Sequence, residues 1–283
     1  MPRTDDLYRS FLAAGLPVRQ RSGWETRGGR WAAADRPIAV MHHHTAPPVP
    51  FPLSKLDGSL DGRIKCNINT KPDGTIWLVA YNACNYSSGP GSSQVWRDVR
   101  NGVVPTGNAK SRDLWDDMNG NPWYWNFEND HPGDGSPIPQ DQFNSIVGAT
   151  MVILLHYDLP KTAIISHAEW TRRKIDPLWS TSNRVAITQI RNAVEEGLEM
   201  ATGPNGEPNW DAVADWAKSA WSWAWSEGIL SPSTHPKETV TKEELMVFFQ
   251  RDEADEGDNR PSTGGVTEAR VRQIIEGSKL KTQ

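Results

Sequence analysis

Apolar positions along the first 200 residues follow two different periods. Apolar side chains recur every three or four positions in three stretches, which predicts helices over 5–14, 140–155 and 185–200. Short apolar or aromatic runs predict strands over 37–41, 64–70, 75–81, 123–129 and 163–167. A Lys-Pro-Asp-Gly segment at 71–74 predicts a hairpin turn between the second and third of these strands. Strands interleaved with helices indicate an α/β (α+β) fold with a central mixed β-sheet flanked by helices.

The composition changes near residue 200, and this divides the chain into parts. Residues 203–209 are rich in Gly and Pro and predict a linker, so we expect a first domain over 1–202. Five of the 14 tryptophans then lie between residues 210 and 225 at roughly helical spacing. We therefore predict a small α-helical C-terminal module over 210–252. An acidic tether and an amphipathic helix are predicted over 253–283.

Charge and composition exclude several classes of protein. The 283 residues include 30 Lys and Arg against 35 Asp and Glu, a net charge of −5, which argues against a nucleic-acid partner. No apolar run reaches the ~18–20 residues of a membrane-spanning helix, and the first residues lack the apolar segment of a signal peptide. Two cysteines, Cys66 and Cys84, are too few for a disulfide scaffold, and we expect free thiols.

Three positions carry side chains that suit a metal ion. Histidines 42–44 follow one predicted strand, His167 ends another, and Asp176 comes nine residues later. Two imidazoles and a carboxylate leave one position of a tetrahedral zinc ion open for water, as in catalytic zinc sites. Chance is the alternative, because seven histidines can include ordinary core or surface residues and Asp176 can be a helix cap before a proline.

Four segments together resemble a known family. They are Met-His-His-His-Thr-Ala at 41–46, Lys-Pro-Asp-Gly-Thr-Ile-Trp at 71–77, Asn-Phe-Glu-Asn at 126–129 and His-Ala-Glu-Trp…Lys-Ile-Asp-Pro at 167–177. In this order they resemble the zinc-dependent N-acetylmuramoyl-L-alanine amidases of the type 2 amidase and peptidoglycan-recognition-protein superfamily, and among these the bacteriophage endolysins. The resemblance extends over roughly residues 35–200.

The resemblance implies a role for five residues. It assigns the Zn²⁺ ligands to His43, His167 and Asp176, and strand alternation separates His43 from its two histidine neighbours. Lys174 matches the family's catalytic lysine, and Glu128 matches the carboxylate that some members place beside the reacting water. Each role has an alternative. Lys174 can be a solvated charge in the basic run 172–174, and Glu128 can be an exposed acid at a strand end.

The sequence departs from the family's pattern at two places. Cys66 stands where some members carry a catalytic tyrosine, so that role is absent and more weight falls on Glu128. The usual His-Ala-Gly segment after the hairpin is replaced by Asn-Tyr-Ser-Ser-Gly at 85–89. Asn85 and Tyr86 are therefore the candidate substrate contacts.

The function implied by the resemblance is hydrolysis of peptidoglycan for lysis of a bacterial host. The bond cleaved is the amide between N-acetylmuramic acid and L-alanine of the stem peptide. Such a protein is expected in the host cytoplasm until lysis and at the cell wall afterwards; a monomer is compatible with the sequence. The tryptophan-rich module is expected to bind cell wall, or its tryptophans fill a helical core. Two further alternatives are a non-catalytic peptidoglycan-binding module and a zinc peptidase acting within the stem peptide.

Overall fold

A six-stranded mixed β-sheet forms the centre of the computed structural model, which describes residues 4–32 and 36–200. In chain order the strands are β1 (Val18–Gln20), β2 (Ala39–His44), β3 (Ile68–Thr70), β4 (Ile76–Leu78), β5 (Pro90–Gly91), β6 (Met118–Asn119), β7 (Tyr124–Asn129) and β8 (Ile164–Ser166). The sheet order is β1-β4-β3-β7-β2-β8, and β5 and β6 form a separate antiparallel pair. Strand β2 therefore lies between β7 and β8, and it pairs in parallel with both.

Helices flank this sheet, which confirms the predicted fold class. They are α1 (Thr4–Ala13), α2 (Ser93–Arg100), α3 (Gln140–His156), α4 (His167–Trp170) and α5 (Asn183–Met200). Helix α3 packs against β2, β3 and α1. It is apolar on several sides, as a helix in the interior must be. Helix α5 instead buries a single stripe of Ala186, Ile187, Ile190 and Val194.

The structure corrects the ends of two predicted strands. Strand β2 begins at Ala39 and continues through the three histidines, because its backbone pairs with β7 as far as His44. Strand β8 ends at Ser166, and His167 is the first residue of α4. The predicted hairpin is present with shorter strands, β3 and β4, and Gly74 adopts the positive φ of 82° that its turn requires.

Most tryptophans of the described chain belong to the core. Trp24, Trp125, Trp170 and Trp179 are almost completely buried, whereas the side chain of Trp115 is 74% exposed. Within residues 4–32 and 36–200, no helix combines the length and the apolarity needed to span a bilayer. The predicted linker over 203–209, the module over 210–252 and the segment over 253–283 lie outside the described residues.

A buried ion pair holds the loop before β3 against the sheet. The carboxylate of Asp130 is fully buried and accepts hydrogen bonds from Lys71 Nζ at 2.8 Å, the Phe51 backbone N–H at 2.8 Å and Asn69 Nδ2 at 2.7 Å. Lys71 Nζ also donates to the carbonyl oxygen of Phe51 at 2.7 Å. Because each charge has several partners, the pair compensates its loss of solvation and fixes the position of Phe51.

Removing the carboxylate of this pair should destabilise the fold strongly. Asp130→Ala is expected to lower the free energy of unfolding by about 3–5 kcal/mol, because it leaves the largely buried Lys71 ammonium without its counter-charge. Glu195→Ala is the control: it breaks an exposed pair with Lys161 and should cost less than about 1 kcal/mol. Denaturant unfolding of both variants measures the difference, and equal losses would contradict the importance of the buried pair.

Candidate metal centre

Strand register brings the two candidate histidine ligands together. Strands β2 and β8 are parallel neighbours, so their carboxyl ends lie at the same edge of the sheet. His42 pairs with Ser166, and His43 and His167 each follow one position later. Asp176 reaches the same point from the segment between α4 and α5, where its carbonyl oxygen accepts the Ala168 N–H at 2.9 Å.

The three donor atoms form a compact triangle. His43 Nδ1 lies 2.8 Å from His167 Nδ1, and Asp176 Oδ2 lies 3.2 Å from the first and 3.0 Å from the second. All three residues are buried. Zinc–nitrogen and zinc–oxygen bonds of about 2.0–2.1 Å place neighbouring ligand atoms of a tetrahedron about 3.4 Å apart. The triangle is close to that size, and two imidazole nitrogens with one carboxylate oxygen are a donor set that zinc accepts.

The protonation states of the triangle also suit a cation. Burial lowers the pKa of His167 to about 4, so this imidazole is neutral at pH 7. Burial raises the pKa of the Asp176 carboxyl, but His167 and His43 outweigh that effect and hold it well below its usual value. Burial also lowers the pKa of His43, but its hydrogen bond to Asp176 and the charge of Glu128 raise it overall. A metal ion needs the unprotonated form of Nδ1, so metal binding and protonation compete at His43.

An asparagine on β7 orients His43. His43 Nε2 lies 3.0 Å from Asn126 Oδ1, which also accepts a hydrogen bond from Ser88 Oγ at 2.7 Å. An amide oxygen only accepts, so Nε2 carries the proton and the lone pair of Nδ1 faces the donor triangle. Asn126 is fully buried, and its Nδ2 donates to the Tyr124 carbonyl oxygen at 2.7 Å, which fixes the amide in this orientation.

A capping box and a buried ion pair hold His167. Ser166 Oγ accepts the Glu169 N–H at 3.2 Å, and Glu169 Oε2 accepts the Ser166 N–H at 2.8 Å, so the first turn of α4 is capped from both sides. Arg191 of α5 donates to both oxygens of Glu169 at 3.0 Å. This bidentate pair fixes the turn on which His167 lies.

Of the three consecutive histidines, only His43 reaches the donor triangle. His42 is buried against Phe127, with a ring-centre distance of 4.8 Å, and its Nε2 lies 3.4 Å from Thr150 Oγ1. Burial lowers the pKa of His42 to about 3, so it is neutral. His44 lies at the end of β2, and its Nδ1 accepts the Leu178 N–H at 3.0 Å.

Glu128 lies beside the donor triangle on β7, directly opposite His43 in the strand register. Among the described residues, its carboxylate has no hydrogen-bond partner. Burial raises its pKa to about 7, and the nearby charge of Asp176 acts in the same direction, while His43 opposes it. A carboxyl group poised between its two protonation states near neutral pH suits a general base.

The donor triangle opens into a cavity of about 340 Å³. Its walls include Thr45, Phe51, Lys65, Tyr86, Glu128, Arg173, Lys174 and Ile175. Arg172 pairs with Asp113 and Arg173 pairs with Asp116, whereas exposed Lys174 has no ion pair within the described part of the chain. Its ammonium is thus available to a ligand in the cavity.

The two candidate substrate contacts are placed differently. Tyr86 is 55% exposed and lines the cavity, with the Arg63 guanidinium 4.6 Å from its ring centre. Asn85 is not in the cavity wall; its side chain accepts the Ile64 N–H at 2.7 Å and donates to the Gly62 carbonyl at 3.0 Å. The tyrosine is therefore positioned to meet a ligand, and the asparagine holds the loop that precedes it.

Cys66 does not replace the missing tyrosine as a proton donor. It is fully buried in a small apolar cluster with Leu56 and Val79, and burial raises the pKa of its thiol well above the usual value. Cys66 and Cys84 are both free, as expected.

Sequence reasoning missed four residues that support this site: Ser88, Asn126, Glu169 and Arg191. Asn126 could have been found, because it is a polar residue at the centre of an aromatic strand. Glu169 shows a capping-box spacing to Ser166. Neither Ser88 nor Arg191 has a local signal, since each meets its partner across a long separation in the chain.

The chain matches no protein-family model and no curated protein sequence. Among solved structures it is similar to the endolysin N-acetylmuramoyl-L-alanine amidase LysCS from Clostridium intestinale, with 13% identity over 64% of this chain and 97% of that one and a TM-score of 0.41. The Ph2119 endolysin from a Thermus scotoductus bacteriophage shows 12% identity over 62% and 98%, with a TM-score of 0.38. The amidase AmiD from E. coli, in complex with an anhydro-N-acetylmuramic acid peptide, shows 16% identity over 60% and 64%, with a TM-score of 0.40. What the site can do follows from its own residues.

The raised pKa of Glu128 predicts a pH-dependent cost to stability in the metal-free protein. A carboxyl group whose pKa rises on folding from 4.5 to about 7 destabilises the folded state increasingly as pH rises through that interval. Glu128→Gln removes this cost. In the presence of a chelator, it should raise the free energy of unfolding at pH 8 by about 2 kcal/mol and leave it nearly unchanged at pH 4.

Denaturant unfolding at the two pH values tests this expectation. Glu196→Gln, at an exposed position of α5, is the control and should change the free energy of unfolding by less than about 0.5 kcal/mol at both. A Glu128→Gln variant that is less stable at pH 8 would mean that the carboxylate has a structural partner.

Proposed function

We propose that this chain is a zinc-dependent N-acetylmuramoyl-L-alanine amidase that hydrolyses bacterial peptidoglycan in the manner of an endolysin. The observation that carries the proposal is the donor triangle of His43, His167 and Asp176 at the base of a cavity, with the unpartnered carboxylate of Glu128 beside it. The sequence motifs that resemble the family include each of these residues.

Amide hydrolysis needs an activated water, a group that stabilises the oxyanion and a proton for the leaving amine. The chemistry that zinc supplies when bound by His43, His167 and Asp176 is Lewis-acid polarisation of the carbonyl and a lower pKa for water. Asn126 keeps the His43 lone pair directed at that position, and the Glu169–Arg191 pair fixes the turn on which His167 lies.

Glu128 is suited to move the proton. Its carboxylate has no partner among the described residues, so it is free to accept a hydrogen bond from water in the cavity. With a pKa near 7 it can take a proton from the attacking water and return it to the leaving nitrogen at neutral pH. These two transfers leave the carboxylate in its starting state.

Lys174 supplies a positive charge on the wall of the same cavity. The oxyanion that develops on the carbonyl gains most from a charge placed before the reaction begins. Because Arg172 and Arg173 have acidic partners and Lys174 has none in the described chain, Lys174 is the member of this basic run that we assign to the oxyanion.

The shape of the cavity suits one end of a larger substrate. A volume of about 340 Å³ is at the small end for ligand pockets, so it holds the reacting junction and leaves the rest of a polymer outside. The ring of Tyr86, covered by Arg63, offers an apolar face at the cavity wall for a sugar or a peptide. We assign Tyr86 to substrate binding on this basis. A substrate contact by Asn85 stays a prediction.

The remaining biological assignments are part of the same proposal. We propose that the protein stays in the host cytoplasm until lysis and then acts at the cell wall, with peptidoglycan as its partner. The tryptophan-rich module over 210–252 would raise the local concentration of the catalytic domain at the wall through its linker.

The bond cleaved is tested by product analysis of purified peptidoglycan. We expect new amino-terminal L-alanine without new reducing sugar ends, loss of the product with a chelator and its return with added zinc. New amino termini within the stem peptide would instead indicate a zinc peptidase. Binding to the wall without any product would indicate a non-catalytic binding module.

Substitutions of the two charged residues should lower turnover while the metal stays bound. Glu128→Gln is expected to lower kcat about 10²–10⁴-fold, and Lys174→Met about 10²–10³-fold, each with unchanged zinc content by elemental analysis. Arg172→Met is the matched control, because Arg172 lies in the same basic run but not in the cavity wall. Normal kcat in either variant would remove that residue from the mechanism.

A further inference from the structure

His44 connects the strand of the first ligand to the segment of the third. Its Nδ1 accepts the Leu178 N–H at 3.0 Å, two residues after Asp176. A backbone N–H can only be donated to an unprotonated nitrogen, so His44 carries its proton on Nε2. The contact joins positions 134 residues apart in the chain.

Leu178 is the first backbone donor available after Asp176. Pro177 has no N–H, so the segment cannot be held by a hydrogen bond from that residue. On the other side, the Asp176 carbonyl oxygen accepts the Ala168 N–H at 2.9 Å. The third ligand is therefore held on both sides, and each contact comes from a residue next to one of the other two ligands.

Gly133 fixes the opposite edge of the His44 ring. A Cβ atom at Gly133 would lie 2.1 Å from His44 Nε2, far inside contact distance, so only glycine permits this approach. The Gly133 backbone has a φ of 72°, and the His44 ring occupies the space that a side chain at this position would need. Gly133 thus limits the movement of the ring on this side, while Nδ1 is directed at Leu178.

We propose that His44 is a positioning residue for the metal centre. It holds Asp176 at the distance from His43 and His167 that metal binding requires. The three consecutive histidines then have separate tasks: His42 packs in the core, His43 is a ligand and His44 holds the third ligand's segment. The proposal rests on the metal site of the proposed function. His44 lines the cavity but is not one of the three residues of the donor triangle.

Zinc affinity of the full-length protein tests the proposal, measured by competition with a chromophoric chelator. His44→Leu removes the acceptor at similar volume and should weaken zinc binding about tenfold. His44→Asn places an amide oxygen near the position of Nδ1 and should restore affinity close to that of the unchanged protein. The rise in Tm on adding zinc is a second readout. Because it compares each variant with itself, with and without zinc, a general loss of stability lowers both Tm values and leaves the difference.

A pair of glycine variants perturbs the ring without changing its chemistry. Gly133→Ala forces the His44 ring to move and should weaken zinc binding as His44→Leu does. Gly135→Ala is the matched control, since its φ of 86° imposes the same backbone strain but its Cβ would have no contact closer than 3.4 Å. Its zinc affinity should be unchanged.

The outcomes separate this inference from the proposed function. Tight zinc binding by the unchanged protein, with weakening in His44→Leu and Gly133→Ala only, supports the inference. Equal zinc affinity in His44→Leu and the unchanged protein, or failure of His44→Asn to restore a lost affinity, overturns it while the proposed function stands. No zinc binding by the unchanged protein overturns both.

Discussion

The parallel pairing of β2 with both β7 and β8 is the constraint on which the site depends. It places His43 opposite Glu128 on one side and next to the start of α4 on the other. Because side chains alternate along a strand, a slip of one residue would turn His43 toward the core and His42 toward the cavity. The apolar residues of β2 that precede the histidines are completely buried on both faces, so the strand is packed from both sides of the sheet.

Around this edge, several polar groups have partners that fix their positions. Asn126 orients His43, the Glu169–Arg191 pair holds the turn of His167, and the Asp130–Lys71 pair holds the loop with Phe51. Glu128 is different, because its carboxylate lines the cavity and has no such partner in the described chain. A titratable group whose pKa is strongly shifted while its neighbours have partners is typical of a functional site, and this is why we propose Glu128 as the group that moves the proton.

Local patterns predicted a large part of this arrangement. The apolar periodicity over 140–155 and 185–200 is compatible with few structures other than helices. The turn residues at 71–74 likewise favour a hairpin. The alternation rule separated His43 from its neighbours, and the strand ends predicted where polar side chains would gather. Short elements with two or three residues per strand, such as β5 and β6, have no period to detect, and they were missed.

The sequence by itself determined the kinds of elements, their order and the residue types available for chemistry, since these depend on neighbours within a few positions. Only the tertiary structure decided which donors meet. The contacts of Asp176 with His43 and of Leu178 with His44 close loops of more than 130 residues, and their energy depends on strand register and helix packing elsewhere. Which of the three consecutive histidines contacts Asp176 and His167 is therefore decided in the folded chain, where each imidazole has different neighbours.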